Sequence, residues 1–403
     1  MEKEKKGLNI ALFVDAYFPY IDGVVMVVDN YAKHLGKVNK VYVFCPKPRD
    51  KNYEYNKPYE IINCKSIVFP LVGTDYARPK KDKEFQAKLD ELDIDIVHIH
   101  SPMAMGAFAL KYAKSKNIPV ISTFHSQFKK DLRKYLKVGF LVNPVLKNFM
   151  KVFNGSNETW TFNSGCRNTL LEYGYTAGKC HLVSNGTDMV PLPDIADHVK
   201  AVNEEYGLTD VKNVFIFVGR LWKAKNNVFN MEALNELKKR GFNDFKFVIV
   251  GEGEDYKTLK KLTEKYGLQD NIIMTGIIRD RAKLAGLLAR SDLFLFPSLY
   301  DMSSLVQIEA ACYKTPVIFL EGANTASAVT HEVNGFISPN DLQTFANMIE
   351  SAIADKEKLK KIGEQAHKDL YITWEQLAQK VHERYLHVIE EHKKNSQDKA
   401  STD

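Results

Sequence analysis

Cysteine is scarce in this chain and widely scattered: Cys45, Cys64, Cys166, Cys180 and Cys312 form no CxxC pair and no other metal-ligand spacing. A disulfide or zinc framework is not indicated, and a reduced, cytosolic compartment fits. Long apolar runs are missing too. No uninterrupted stretch approaches about 18 residues, so no membrane-spanning helix is expected. Leu8–Val14, closed at once by Asp15, is too short for a secretory leader. Nor is there a strong charge of one sign: 56 Lys and Arg against 50 Asp and Glu leave +6, far short of a polybasic nucleic-acid binder. Solenoid-period repeats are absent.

What is present is globular in kind. Hydrophobic residues make up 45% and charged residues 26%, and 403 residues leave room for two or three domains at roughly 100–200 residues each. Short apolar runs alternate with helix-length amphipathic stretches, the pattern of parallel sheets flanked by helices. The first half offers strands at Ile10–Val14, Val41–Phe44, Ile94–His98, Pro119–Thr123 and His181–Ser184. The second restarts the rhythm at Val214–Val218, Phe245–Val250, Ile272–Met274, Leu293–Phe296 and Pro316–Phe319. The expected fold class is therefore α/β with two doubly wound, Rossmann-like domains, and a cleft facing the carboxyl ends of both strand sets. The domains are read as 1–190 and 191–372, meeting at Pro191 and Pro193. A helix over 373–392 returns to the first domain, and 393–403 is a disordered tail.

Two strand-to-helix crossings carry the chemistry. Gly219-Arg220-Leu-Trp-Lys-Ala-Lys225-Asn226 follows a buried strand and opens a helix near Asn226. Its guanidinium and ammonium can converge on one anion at the helix start, the outline of a diphosphate site; a solvated basic turn is the other reading. In Phe296-Pro-Ser-Leu-Tyr-Asp301-Met-Ser303-Ser304-Leu305-Val-Gln-Ile-Glu309, two carboxylates straddle a second crossing. Free amides of Ser303, Ser304 and Leu305 would meet an anion or sugar oxygens there, although an N-terminal-turn aspartate and a surface glutamate are each common.

In this order and separation the two motifs resemble the donor half of the retaining glycosyltransferases of family 4, which have the GT-B fold of two facing Rossmann-like domains. The family's Glu-x7-Glu pattern stands here as Asp301 and Glu309, and its basic turn as Gly219, Arg220 and Lys225. Val183-Ser-Asn185-Gly186-Thr-Asp188 resembles its Asn-Gly-x-Asp turn, and Gly251-Glu-Gly253 its strand-end Gly-x-Gly; the likeness covers roughly residues 8–390. The resemblance implies that Arg220 and Lys225 bind the donor diphosphate, that Glu309 holds the ribose, and that Asp301 hydrogen-bonds the transferred sugar. Gly23, in Phe13-Val-Asp15-Ala-Tyr17-Phe-Pro19-Tyr-Ile-Asp22-Gly23, falls in the family's first glycine-bearing loop, and His125 is placed beside the anomeric carbon. His98 reads as structural, and His100 as a candidate to face the cleft.

Departures from the family pattern bear on sugar choice. Aspartate replaces the usual glutamate at 301, Met302-Ser303-Ser304 replaces Gly-Phe-Gly, and a single glycine, Gly23, occupies the usual Gly-Gly loop. Asp93-Ile-Asp95 is a formal DxD, yet it opens a strand, and this fold class meets the leaving diphosphate with cations and helix dipoles, so no metal and no cofactor beyond the nucleotide-sugar co-substrate are expected. A dinucleotide enzyme is disfavoured because Gly251-Glu-Gly253 lacks a third glycine.

The mild charge excess has an address. Residues 128–151 carry six lysines and one arginine against one aspartate, which is the whole +6, interleaved with large apolar residues and expected to form helices broken at Pro144. Such a basic amphipathic segment, with Lys129, Lys130, Arg133, Lys134 and Lys137 at its start, can lie on an anionic bilayer; solvated domain helices are the other reading. The neighbouring Thr123-Phe-His-Ser-Gln-Phe128 is similar to family members that glycosylate diacylglycerol. The expectation is a cytoplasmic hexosyltransferase docked on the inner face of the plasma membrane, passing a hexose from a UDP-sugar to a lipid hydroxyl with an α-linkage. Glycan acceptors and a non-catalytic GT-B subunit are the alternatives. No nucleic-acid partner is expected, and the oligomeric state stays open.

Overall fold

The computed structural model describes residues 7–50, 52–68, 75–136 and 139–400. The chain divides into two compact units. The first comprises residues up to Phe162, Cys166–Ser184 and the stretch from Trp374 onward; the second comprises Asn163–Gly165 and Asn185–Thr373.

The first unit is built on β1 (Asn9–Phe13), β2 (Lys40–Pro46) and β3 (Glu60–Cys64), with a small antiparallel pair β4 (Ser66–Val68) and β5 (Asp75–Ala77). It continues with β6 (Ile96–Ile99), β7 (Val120–Thr123), β8 (Glu158–Thr161) and β9 (Cys180–Leu182). These make one parallel sheet in the order β3-β2-β1-β6-β7-β8-β9. The second unit contains β10 (Val214–Val218), β11 (Lys246–Val250), β12 (Ile272–Gly276), β13 (Leu293–Phe296), β14 (Val317–Leu320) and β15 (Phe336–Ser338). Its parallel order is β12-β11-β10-β13-β14-β15. Central strands such as Val-Phe-Ile-Phe-Val of β10 are buried along their whole length, as expected where helices cover both faces of a parallel sheet.

Both orders reverse once, between β1 and β6 and between β10 and β13. At such a switch the two following loops part, and a ligand-sized opening forms at the carboxyl ends of the strands. Asp15, His100 and His125 follow β1, β6 and β7 in the first unit; Arg220, Lys225 and Asp301 follow β10 and β13 in the second.

Several features differ from the sequence expectation, which did not include β3, β4, β5 or β15, and three others have a clear physical cause. The C-terminal helix runs Trp374–Ala400 rather than stopping at 392, because nothing in Lys393–Ala400 breaks it and its own side chains hold it: His392 bonds the Asn117 carbonyl at 3.1 Å and Asn157 at 3.1 Å. Pro144 does not break a helix but lies in the first turn of Val142–Gly155, where a missing N–H costs nothing. Strand β8, Glu-Thr-Trp-Thr, escaped notice because it is polar yet fully buried. Its Thr159 hydroxyl meets Ser122 at 3.0 Å, and its Glu158 carboxylate takes both Arg384, through Nη2 and through Nε at 3.0 Å, and the Trp160 indole N–H at 3.2 Å.

Glu158 is 1% exposed and forms an ion pair with Arg384, with His181 3.3 Å away. Arg384→Ala should lower unfolding stability by about 3–5 kcal/mol by stranding that carboxylate, while the double change Arg384→Met with Glu158→Gln should recover much of the loss. Denaturant titration checks this; equal stability of Arg384→Ala and the wild type would refute it.

Candidate active site

In the second unit the loop after β10 starts at Gly219 and closes on a short 3-10 turn, Lys223–Lys225, before Asn226, held at φ 59°, leads into the helix Asn227–Lys239. Gly251 and Gly253 make this loop possible. A Cβ on Gly251 would sit 2.0 Å from the Gly219 carbonyl oxygen, and one on Gly253 2.1 Å from that of Leu221, so only glycine lets the loops after β10 and β11 touch. The contact is stitched by Gly219 N–H to Val250 O at 3.0 Å and Leu221 N–H to Glu252 O at 2.8 Å. Gly251 and Gly219 thus shape the floor of the site through backbone packing.

Arg220 and Lys225 are paired to different carboxylates. Lys225 Nζ donates to Asp301 Oδ1 at 2.6 Å, with only 17% and 15% of the two side chains exposed, because an ammonium this far out of water needs a counter-charge. The second Asp301 oxygen accepts from the Ser298 hydroxyl at 2.5 Å. Arg220 instead pairs with Glu254 at 3.1 Å on the open side and is 67% exposed, with its guanidinium 5.9 Å from the Trp222 ring. The aspartate expected to hold sugar hydroxyls is therefore joined to a cation expected to hold phosphate.

Beyond Asp301 the chain turns into the helix Leu305–Cys312, with Ser304 as a cap that makes no side-chain bond. The amides of Ser303, Ser304 and Leu305 have no acceptor among the described residues, which leaves a positive helix end beside the Lys225–Asp301 pair. Glu309 lies one turn and more along this helix, buried, its Oε1 accepting from Arg281 Nη2 at 2.7 Å. Sequence reading missed Arg281, and of the three asparagines that hold the loop it missed Asn163 and Asn324. Asn163 Nδ2 donates to the Met302 carbonyl at 2.9 Å, Asn185 Nδ2 meets Ser303 Oγ at 3.1 Å, and Asn324 Nδ2 contacts Met302 Sδ at 3.1 Å. The buried Asn185 Oδ1 and Gln307 Nε2 have no partner among the described residues. Asn185 was visible in its Asn-Gly turn; Asn163 and Asn324 carry no local signal.

The first unit places Gly23 at the exposed start of the helix Gly23–Leu35, capped by Asp22, whose carboxylate accepts from the Val25 N–H at 2.8 Å. His125 stands half-buried past β7, and its Nε2 lies 3.0 Å from His100 Nδ1. His98 is internal, tied to the Tyr385 hydroxyl at 2.6 Å and to Thr123 Oγ1 at 2.7 Å. Burial pushes His98 and His100 well below the ordinary histidine range and His125 down to about 3. Burial also raises Asp15 to about 7, against the opposing pull of the amides at Met103–Gly106, of which Met105 N–H bonds Oδ1 at 2.9 Å.

The basic segment forms the helices Phe128–Leu136 and Val142–Gly155. Lys130 and Arg133 are exposed and Lys129 is half-buried. Lys134 lies on the first helix with its side chain outside the described residues, as is Lys137 altogether. Between the helices Phe140 is 77% and Leu141 40% exposed, while Leu146, Phe149, Met150 and Phe153 face inward. No helix among the described residues is long and apolar enough to cross a membrane.

Two parallel Rossmann-like units with charged loops at their switch points make up this chain, an architecture that by itself does not fix an activity. Residues 21–190 match the family model described as Glycosyltransferase Family 4, and residues 200–369 match Glycosyl transferases group 1; the chain belongs to family 4 of the glycosyltransferases and has their GT-B fold. It is 28% identical over 326 residues to an alpha-monoglucosyldiacylglycerol synthase of Acholeplasma laidlawii, covering 77% of this chain and 80% of that protein. The enzyme of the same name from Streptococcus pneumoniae is 24% identical over 391 residues, 95% of this chain and 86% of its own. Among solved structures, the HepE protein of Anabaena in complex with UDP superposes with a TM-score of 0.72 at 17% identity, covering 94% of this chain and 99% of that one.

The three histidines set the acid limit of the fold. Unfolded, each takes a proton near pH 6.5; folded, each resists it, so the unfolded chain binds more protons below pH 6.5 and stability falls as pH falls. Asp15 acts oppositely between about pH 4 and 7, one group against three. The urea midpoint should therefore be lower at pH 5 than at pH 7.5; an equal or higher midpoint at pH 5 would contradict these protonation states.

Proposed function

We propose that this glycosyltransferase moves a hexose from a UDP-sugar to the hydroxyl of a membrane lipid of the diacylglycerol type, with retention of the α-configuration and without a metal ion. The observation that carries the reading is the Lys225–Asp301 pair beside the open amides of Ser303–Leu305, a place where cation and helix end can take over a diphosphate. As the anomeric C–O bond to phosphate breaks, negative charge gathers on the departing diphosphate. Lys225, Arg220 and the amides neutralise it, the largest single contribution available to such a reaction. The acceptor oxygen attacks on the face the diphosphate leaves, and its proton goes with the leaving group. Glu309, steadied by Arg281, holds the ribose hydroxyls, and His125 stands at the sugar. The aspartate at 301, one methylene shorter than glutamate, sets which sugar fits.

The lipid side rests on two supports. Both alpha-monoglucosyldiacylglycerol synthases above are similar along most of their length. The turn between the helices Phe128–Leu136 and Val142–Gly155 also exposes Phe140 and Leu141 in the segment that carries the chain's entire net positive charge, which suits an anionic bilayer surface on the cytoplasmic side.

The test is turnover with a panel of nucleotide sugars, with and without vesicles of diacylglycerol and phosphatidylglycerol, products read by mass spectrometry. The expected product is a monohexosyl diacylglycerol from a UDP-hexose, unchanged by EDTA, and reduced about 100-fold or more by Arg220→Ala. Phe140→Ser should weaken vesicle sedimentation and spare donor hydrolysis. Loss of activity in EDTA with rescue by magnesium would overturn the metal-free reading, and product on soluble glycans alone would overturn the lipid one.

A further inference from the structure

The first unit holds a histidine that the proposed chemistry leaves unused. Strands β6 and β7 run side by side with Ile99 level with Ser122, so His100 and His125 emerge from neighbouring carboxyl ends on the same side of the switch point. Their rings meet through His100 Nδ1 and His125 Nε2 at 3.0 Å. His100 has little freedom to do anything else. Its ring packs at 4.1 Å, centroid to centroid, on His98, whose own two nitrogens are already taken by Tyr385 and Thr123. Tyr31 makes a T-shaped contact with the His100 ring, centroids 5.5 Å apart. His125 is braced in turn by Phe162 at 5.3 Å, and its Nδ1 has no partner among the described residues.

A bond between two neutral imidazoles holds one proton, which leaves two arrangements. If His125 Nε2 were the donor, His100 would carry its single ring proton on Nε2, which is buried without a partner among the described residues. A buried N–H without an acceptor is rarer and costlier than a buried acceptor without a donor. The other arrangement puts the proton on His100 Nδ1, leaves Nε2 bare, and makes His125 an acceptor at Nε2 that must hold its own proton on Nδ1.

We propose that His100 is a positioning residue for His125: by donating from Nδ1 to His125 Nε2 it fixes the ring and the tautomer of His125, which then presents Nδ1–H to an oxygen of the transferred sugar. This rests on the reading of His125 as the residue at the sugar. The groups in contact with the His100 ring are His98 on its own strand, Tyr31 from the helix Gly23–Leu35 and His125 after β7. Asp15 Oδ1 caps Met105 and the Asp15 backbone N–H is held by Ser101 Oγ at 3.1 Å, while Asp15 Oδ2 is buried without a hydrogen-bond partner among the described residues.

The experiment compares full-length His100→Leu, His100→Asn, His125→Ala and the double variant His100→Leu/His125→Ala, with UDP-glucose and diacylglycerol vesicles as substrates, each variant checked by thermal melting. His100→Leu should lower kcat about 30-fold with KM for UDP-glucose within about twofold, since a misaligned contact costs the transition state more than the ground state. His100→Asn, whose amide can still reach His125 Nε2, should recover to within about fivefold of wild type. In the His125→Ala background, His100→Leu should cost nothing more, because an acting partner is already gone. The nitrogen-15 spectrum of the wild type should show His125 protonated at Nδ1, with mixed tautomers in His100→Leu. Additive losses, full turnover in a folded His100→Leu, or an Nε2-protonated His125 would overturn the inference. Full turnover in His125→Ala would instead overturn the reading of His125 itself.

Discussion

The second unit turns on one ion pair. Lys225 and Asp301 come from loops on opposite sides of the β10/β13 switch, and their 2.6 Å contact, largely out of water, decides what the surrounding residues can do. Neither charge could stay there alone. Asp301 takes the ammonium on one oxygen and Ser298 on the other, Ser298 lies within reach of the Ala224 carbonyl, and so the two loops are cross-linked through side chains. On the proposed function, a diphosphate arriving at the helix end would offer Lys225 more negative charge than Asp301 does, so binding would exchange one counter-ion for another instead of burying a new charge, and would free Asp301 for the sugar.

Backbone close approach makes the pair's position reproducible. Gly251 and Gly253 permit contacts to Gly219 and Leu221 that no side chain would allow, and the asparagines 163, 185 and 324 peg the Met302–Ser303 turn where the family resemblance led one to expect glycines. The loop has lost glycine freedom and gained side-chain anchors. The first unit applies the same economy to its own switch point: Asp15, His100 and His125 are each aimed by a bond to a neighbouring strand end or helix start.

Much of this was legible before any coordinates. Apolar strands such as Val214–Val218 and Leu293–Phe296 announced themselves because parallel strands are buried on both faces, and Arg220, Lys225, Asp301 and Glu309 stood out by residue type at strand-to-helix crossings. What stayed hidden is what depends on distant partners. Strand β8 is polar because Arg384, far along the chain, neutralises Glu158. Arg281 and Asn324 have ordinary neighbours and acquire a role through contacts to Glu309 and Met302. The pairing of Lys225 with Asp301, 76 residues apart, has no signature in spacing at all. Nor did the C-terminal residues past His392 look helical, since what supports them is Asn117.

The central claim is that Lys225 trades Asp301 for the diphosphate of the donor, and calorimetric titration of the full-length protein with UDP tests it most directly. The account predicts that Lys225→Met weakens UDP binding by about 30-fold or more, whereas Asp301→Asn, which removes the competing carboxylate, leaves it equal or tighter. Unchanged UDP affinity in a folded Lys225→Met, or a loss in Asp301→Asn as large as in Lys225→Met, would contradict it.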